Sequence, residues 1–327
     1  MSLQRGLHAR VIIMAISTAP TTITGHLRFA AVEQLESLAD NTRRSYLGAI
    51  QRLALCDISS LGDLVDDRLS VAIRSLASGG YAAGTISVTI AAARWVARTL
   101  NEPDPYGPRS QAAQRVANRR ASPARTAVPL VWEEADRAAQ IAAADGSIAG
   151  LRDAAIIAVM SDAMLRRSET AALLWPDLDI DGDGSATLAV RRSKTDQTGN
   201  GTRQYLGAAT VKRIVAWAEV CGHRQLPVQA GALFCQVRRG NHVDLGAALS
   251  GGAISQIVTR RAAAAGVTGA TGHSLRVGSA VSLVRSGASL VDLQHVGRWR
   301  SPQMPASYVR GEAARQGAIA RFRYGAL

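Results

Sequence analysis

Lysine is nearly missing from this chain of 327 residues: only Lys194 and Lys212 occur, so the 38 basic residues are almost all arginines. Neither lysine sits in a G-x-x-x-x-G-K-[ST] loop, which excludes a P-loop nucleotide site. Cysteine is equally scarce. Cys56, Cys221 and Cys235 are odd in number and lack C-x-x-C spacing, which excludes a disulfide framework and a cysteine zinc site and points to a reducing, cytoplasmic compartment. No uncharged apolar run approaches the roughly 18 residues needed to span a bilayer, so no membrane partner is expected. The apolar stretch at residues 11–16, behind Arg5 and Arg10, is short for a signal peptide, and residues 1–26 read as a flexible arm.

Metal ligands are also wanting. His223, His242 and His295 have no companions at ligand spacing. Asp179, Asp181 and Asp183 copy the opening of a calcium loop, but its twelfth position falls on Val190 instead of a glutamate, so the segment reads as a polar turn. No metal and no cofactor are expected.

What is present is a core and a positive field. Hydrophobic residues make up 47% of the chain, enough to exclude wholesale disorder, and the net charge is +13. At roughly 100 to 200 residues per domain the length argues for two domains. The charge is shared, +6 over residues 1–125 and +7 over 126–327, so both halves could touch one polyanion. Arginine's planar fork binds phosphate at two points, which favours nucleic acid as the partner.

Apolar residues recur at helical spacing over residues 27–118. Helices are expected after Asp40-Asn41-Thr42, after Asp66-Asp67, from a cap near Thr85 to Leu100, and from Ser110 to Arg120. Residues 119–129 have linker composition, with two prolines, small residues and charge. Beyond them, over residues 130–327, helical patterns run from Trp132 to Ala144 and from Gly150 to Trp175. Alternation in residues 186–192 and 202–206 around Gly199-Asn200-Gly201 predicts a β-hairpin, after which the chain returns to helix. The fold class is mainly α, with a small sheet in the second half.

The most specific segment is Gly272-His273-Ser274-Leu275-Arg276-Val277-Gly278, which sets a histidine and an arginine one helical turn apart. An isolated H-x-x-R is usually a helix start with two solvated polar groups. Here it stands in an ordered series: Leu165-Arg166-Arg167-Ser168-Glu169 upstream, Lys194 in the hairpin, then Gly297-Arg298-Trp299, and Tyr308 nine residues after Trp299. This series, Arg, Lys, H-x-x-R, Trp, Tyr, resembles the tyrosine recombinase or phage integrase family. The resemblance is strong in the second half and only topological in the first, where the family implies a helical core-type DNA-binding domain.

The chemistry gives each residue type a reason. In-line attack on a phosphodiester spreads negative charge over the non-bridging oxygens, which guanidinium pairs stabilise; the resemblance assigns this to Arg166 and Arg276. Arg167 is a rival for the first position, and the register with Glu169 favours Arg166. Tyr308 would be the nucleophile, giving a 3′-phosphotyrosyl DNA. Tyr324 is the rival, although only three residues follow it. Lys194 would protonate the leaving 5′ oxygen, His273 would bind the phosphate or accept the tyrosine proton, and Trp299 would donate through its indole. Glu169, three residues after Arg166, would hold the cationic cluster from the same helical face. The covalent link conserves the bond energy, so religation needs neither ATP nor metal.

The resemblance further implies double-stranded DNA with inverted-repeat target sites, a monomer in solution, a homo-tetramer on two sites that passes through a Holliday junction, a C-terminal tail exchanged between protomers, and a cytoplasmic, nucleoid-associated location. Asn41, Thr42, Arg43, Arg44, Thr85, Ser87 and Thr89 stand at two helix starts where polar donors could enter the major groove. A non-cleaving DNA-binding protein of the same ancestry is the alternative.

Overall fold

The computed structural model describes residues 35–122, 127–191, 201–223, 226, 228, 230–303 and 306. Lys194, Tyr308, the arm at 1–26 and the tail at 317–327 lie outside them. The chain divides into two compact units, Met1–Arg125 and Thr126–Leu327.

The described part of the first unit holds α1 (Asp40–Ala54), α2 (Asp66–Ser78), α3 (Ala83–Thr99) and α4 (Pro108–Arg120). The apolar stripes of these helices meet in a core that includes Leu53, Ile58, Leu69, Ile73, Ile86 and Val96. One carboxylate fixes the last helix: Asp66 accepts hydrogen bonds from the backbone N–H groups of Gly107, Arg109 and Ser110 at 3.1, 2.9 and 2.8 Å. These are orphan donors at the start of α4, where Pro108 already presets the helical φ.

In the second unit, α5 (Trp132–Ala143) and α6 (Ile148–Asp162) pack side by side, with α7 (Arg167–Ala171), α8 (Ala208–Val220), α9 (Gly251–Ala264), α10 (Ser274–Arg285) and α11 (Leu290–Val296) following. Helix α6 is mostly apolar and buried along almost its whole length, as a central helix must be. Its one buried carboxylate, Asp153, accepts from Arg152, Arg260 and Arg261 at 2.8, 2.8 and 2.9 Å. Strands β1 (Leu178–Ile180), β2 (Ala186–Val190) and β3 (Thr202–Leu206) form an antiparallel sheet in that order. Ala186, Leu188 and Val190 point into the core, and Val190 stands opposite Thr202 at the start of the connection that carries Lys194 in sequence.

Three expectations need correction. The pattern from Gly150 to Trp175 is two helices, because the chain turns at Ala163–Arg166 with Met164 at φ +48°. The return to helix after β3 is interrupted by a hairpin, β4 (Cys235–Arg238) with β5 (His242–Ala248), whose turn uses left-handed Gly240 and Asn241. Helix α3 starts at Ala83, so Thr85 lies inside its first turn.

Helix α10 is buried from Ser274 to Ser282. It can be so because Gly278 lacks a side chain: a Cβ there would collide with the backbone of Leu130. The amide of Leu130 donates to the Ser274 carbonyl at 3.0 Å, and that of Trp132 donates to the Ser282 hydroxyl at 3.1 Å.

Candidate active site

Three chain segments converge at the C-terminal end of α6. The turn Ala163–Arg166 carries the carbonyls of Ala163 and Met164 just beyond the last turn of α6. Two arginines from elsewhere cap them. Arg298 donates to the carbonyls of Ala163 at 3.1 Å and Met164 at 3.3 Å, and Arg276 also donates to the Met164 carbonyl. Cations are the favoured company for this end of a helix.

Arg166 is the N-cap of α7, in extended conformation, and not a residue of a continuous helix as the sequence pattern suggested. Its relation to Glu169 is accordingly a cap and not a shared helical face. Glu169 accepts from the Arg166 amide at 2.9 Å and from its guanidinium at 2.5 Å. The oxygen that accepts the Arg166 amide, Oε2, also accepts from Arg298 at 2.8 Å. Burial pushes the Glu169 carboxyl up, but the charge of Arg298, the Arg166 amide and the charge of Arg166 outweigh it and hold the group below the ordinary glutamate range.

His273 caps α10 and Arg276 lies in its first turn. Burial, then the charges of Arg276 and Arg166, push the His273 imidazole below its ordinary value, so at neutral pH it is uncharged and able to accept a proton. Arg276 is fully enclosed. It donates to the carbonyls of Met164 and Gly297, and its guanidinium lies 4.4 Å from the ring centre of Trp299, a cation–π contact. Gly297 permits this arrangement, since a Cβ there would strike the Trp299 ring. Among the four arginine and tryptophan side chains here, Arg166 is the most open, at 18% exposure.

A surface cleft of ≈ 650 Å³ borders this cluster, lined by Thr202, Arg203 and Gln204 of β3 and by Val291, Gln294, His295, Arg298 and Trp299. In the sequence Arg298 was only the middle residue of Gly297-Arg298-Trp299, and His295 only a histidine without companions at ligand spacing. Nothing in the local pattern marks either: His295 lies in the last turn of α11 and Arg298 in the turn that follows it.

In the first unit, Arg43 pairs with Asp40 at 3.0 Å and Arg44 with Asn41 at 2.9 Å, both exposed, while Thr42 and Thr85 are half-buried. Ser87 is exposed and accepts from Gln114 at 3.2 Å. Thr89, expected among the DNA-facing donors, is buried: it accepts from Arg52 at 3.0 Å and donates to the Thr85 carbonyl at 3.0 Å, so it belongs to helix packing. Among the described residues no group of His, Cys, Asp or Glu could hold a metal ion, and no helix is long and apolar enough to cross a membrane. Asp179 lies in strand β1, and Asp181 and Asp183 belong to the turn into β2, where Asp183 accepts from the Ser185 amide and hydroxyl.

Three arginines and a neutral histidine near the end of α6, with one carboxylate paired to two of the arginines, make a site suited to an anion. The family model for the phage integrase family matches residues 132–315, more than half of the chain, and the chain belongs to that family. It is 26% identical over 190 residues to the recombinase Cre of Escherichia phage P1, a stretch that is 52% of each chain, so it spans about half the length of that curated relative. Its fold is that of the XerH site-specific recombinase bound to a palindromic difH substrate in a post-cleavage complex (TM-score 0.63, 17% identity, 91% of this chain and 94% of that one). It is also that of a lambda integrase tetramer bound to a Holliday junction (TM-score 0.57, 19% identity, 86% and 75%).

Proposed function

We propose that this protein is a site-specific recombinase that cuts and rejoins double-stranded DNA through Tyr308. The observation that carries the reading is the convergence of Arg166, His273, Arg276 and Trp299 on the end of α6, in a chain of the phage integrase family. Tyr308 loses its phenolic proton and its oxygen bonds to phosphorus, while the bond from phosphorus to the 5′ oxygen breaks and that oxygen takes a proton from Lys194. Reversal with a second strand's 5′ hydroxyl restores the phosphodiester. Neutral His273 can take the phenolic proton, and Arg166 faces the accumulating charge on the phosphate.

Arg276 enters differently. Two of its N–H groups donate to the Met164 and Gly297 carbonyls and its side chain is fully enclosed, so contact with phosphate requires residues 297–299 to shift when DNA binds. The lambda integrase tetramer on a Holliday junction and XerH on a palindromic substrate support a reaction by four copies of the chain on two inverted-repeat sites, passing through a Holliday junction; exchange of the tail at 317–327 between protomers belongs to the same proposal. Asn41, Thr42, Arg43, Arg44, Thr85 and Ser87 are the proposed contacts of the first unit with DNA.

The test is to incubate the protein with duplexes covering the DNA on either side of its own gene, quench with detergent, and look for DNA covalently joined to protein. The expected outcome is an adduct that Tyr308→Phe abolishes. Sequence-specific binding with no adduct from either protein would instead establish a non-cleaving reader of DNA.

A further inference from the structure

Arg298 occupies a backbone conformation that arginine disfavours. Its φ is +54°, in the left-handed region where a Cβ meets the following carbonyl and glycine is the easy choice. An L-residue held there is sustained by what its side chain does. The Arg298 side chain is 5% exposed and reaches three acceptors: the Ala163 and Met164 carbonyls and the Glu169 carboxylate. Glu169 in turn is 2% exposed and stands between two guanidiniums.

We infer that Arg298 is a positioning residue that supplies the buried counter-charge for Glu169, so that Arg166 keeps its own charge for the DNA phosphate. This rests on the recombinase reading above. The charge count shows why. With both arginines present, one carboxylate faces two cations and the group is net positive. Without Arg298, Arg166 is, among the described residues, the remaining guanidinium in contact with the buried carboxylate, and a desolvated anion holds its remaining partner tightly. Exposure divides the labour the same way: Arg166, at 18%, is the member open to a ligand, and Arg298 is enclosed against the end of α6.

The experiment compares wild type with Arg298→Gly, Arg298→Lys, Glu169→Gln and the double variant Arg298→Gly with Glu169→Gln. Single-turnover adduct formation is measured on the duplex at which wild type reacts, together with binding to the same duplex and thermal unfolding. Glycine relaxes the backbone at 298, so Arg298→Gly should fold and bind DNA yet form adduct at least tenfold more slowly. Adding Glu169→Gln should recover most of that loss, because a neutral amide does not hold Arg166, and Arg298→Lys should recover part. Adduct formation by Arg298→Gly at the wild-type rate, or a double variant no faster than Arg298→Gly, would overturn the inference.

If wild type and Tyr308→Phe behave alike, the recombinase reading fails, and Arg298 is judged on melting alone. The double variant should then melt above Arg298→Gly, whereas additive losses from the two changes would refute the pairing.

Discussion

The two units use the same residue in opposite ways. In the first, the two arginines at the start of helix α1 lie on the surface and pair with near neighbours, Arg43 with Asp40 and Arg44 with Asn41. Such exposed pairs contribute about 0 to 1 kcal/mol each and are readily exchanged for another anion. In the second, Arg152, Arg261, Arg276 and Arg298 are enclosed and bound to carboxylates or to helix-end carbonyls. There the cation is part of the architecture, and its removal strands a desolvated partner. An arginine-rich composition therefore reports two quantities at once, affinity for a polyanion and internal scaffolding, and only burial separates them.

The sharpest way to break that comparison is Asp153→Ala, which would leave Arg152 buried without its carboxylate while Arg261 keeps Asp145 at 2.6 Å. We expect a loss of about 3–5 kcal/mol in denaturant unfolding, the cost of an uncompensated buried charge. A loss below 1 kcal/mol would show that the buried arginines are not held by their carboxylates. Next comes Gly278→Ala, whose methyl group has to displace the Leu130 backbone; overpacking of this kind costs about 1–3 kcal/mol. Unchanged melting would mean that α10 has slack.

Glu169→Gln sharpens the contrast through pH. The folded-state pKa of Glu169 is depressed, so its ionised form contributes stability that is complete above the ordinary glutamate value of 4.5 and is lost as pH falls below it. The variant should be less stable at neutral pH and should show a flatter decline of melting temperature on the acid side. His273 adds acid sensitivity in the same direction, because its folded-state pKa is also depressed and it must gain a proton as pH falls below 6.5. The smallest effect on stability is expected for Arg43→Ala, within about 0.5 kcal/mol. Its consequence should appear in DNA binding instead: a loss of about 1–3 kcal/mol confined to one base pair if it reads a base, or a uniform loss with a shallower salt dependence if it contacts phosphate.

Much of the fold was legible because it is periodic. Helices α1, α2, α4 and α5 stand within two residues of where apolar spacing and polar starts placed them, and β2 and β3 alternate as a half-buried sheet should. The turn at Ala163–Arg166 was not legible, since it contains neither glycine nor proline and continues an apolar pattern on both sides. Its reason is tertiary: the carbonyls it exposes are satisfied by Arg276 and Arg298, more than a hundred residues away. The same distance hid Arg298, whereas Arg166, His273, Arg276 and Trp299 were found as members of a spaced series. Thr89 was misread because a hydroxyl in sequence looks like a donor to solvent, and only packing shows it turned toward Arg52.

The segment that emerges from the connection between the units is fastened directly to α10. Leu130 is hydrogen-bonded to Ser274 and lies against Gly278, and Trp132 is tied to Ser282. The start of the second unit's described chain is thus knotted to the helix that carries Arg276, so any strain placed on Leu130 or Trp132 is felt along α10 between Ser274 and Ser282.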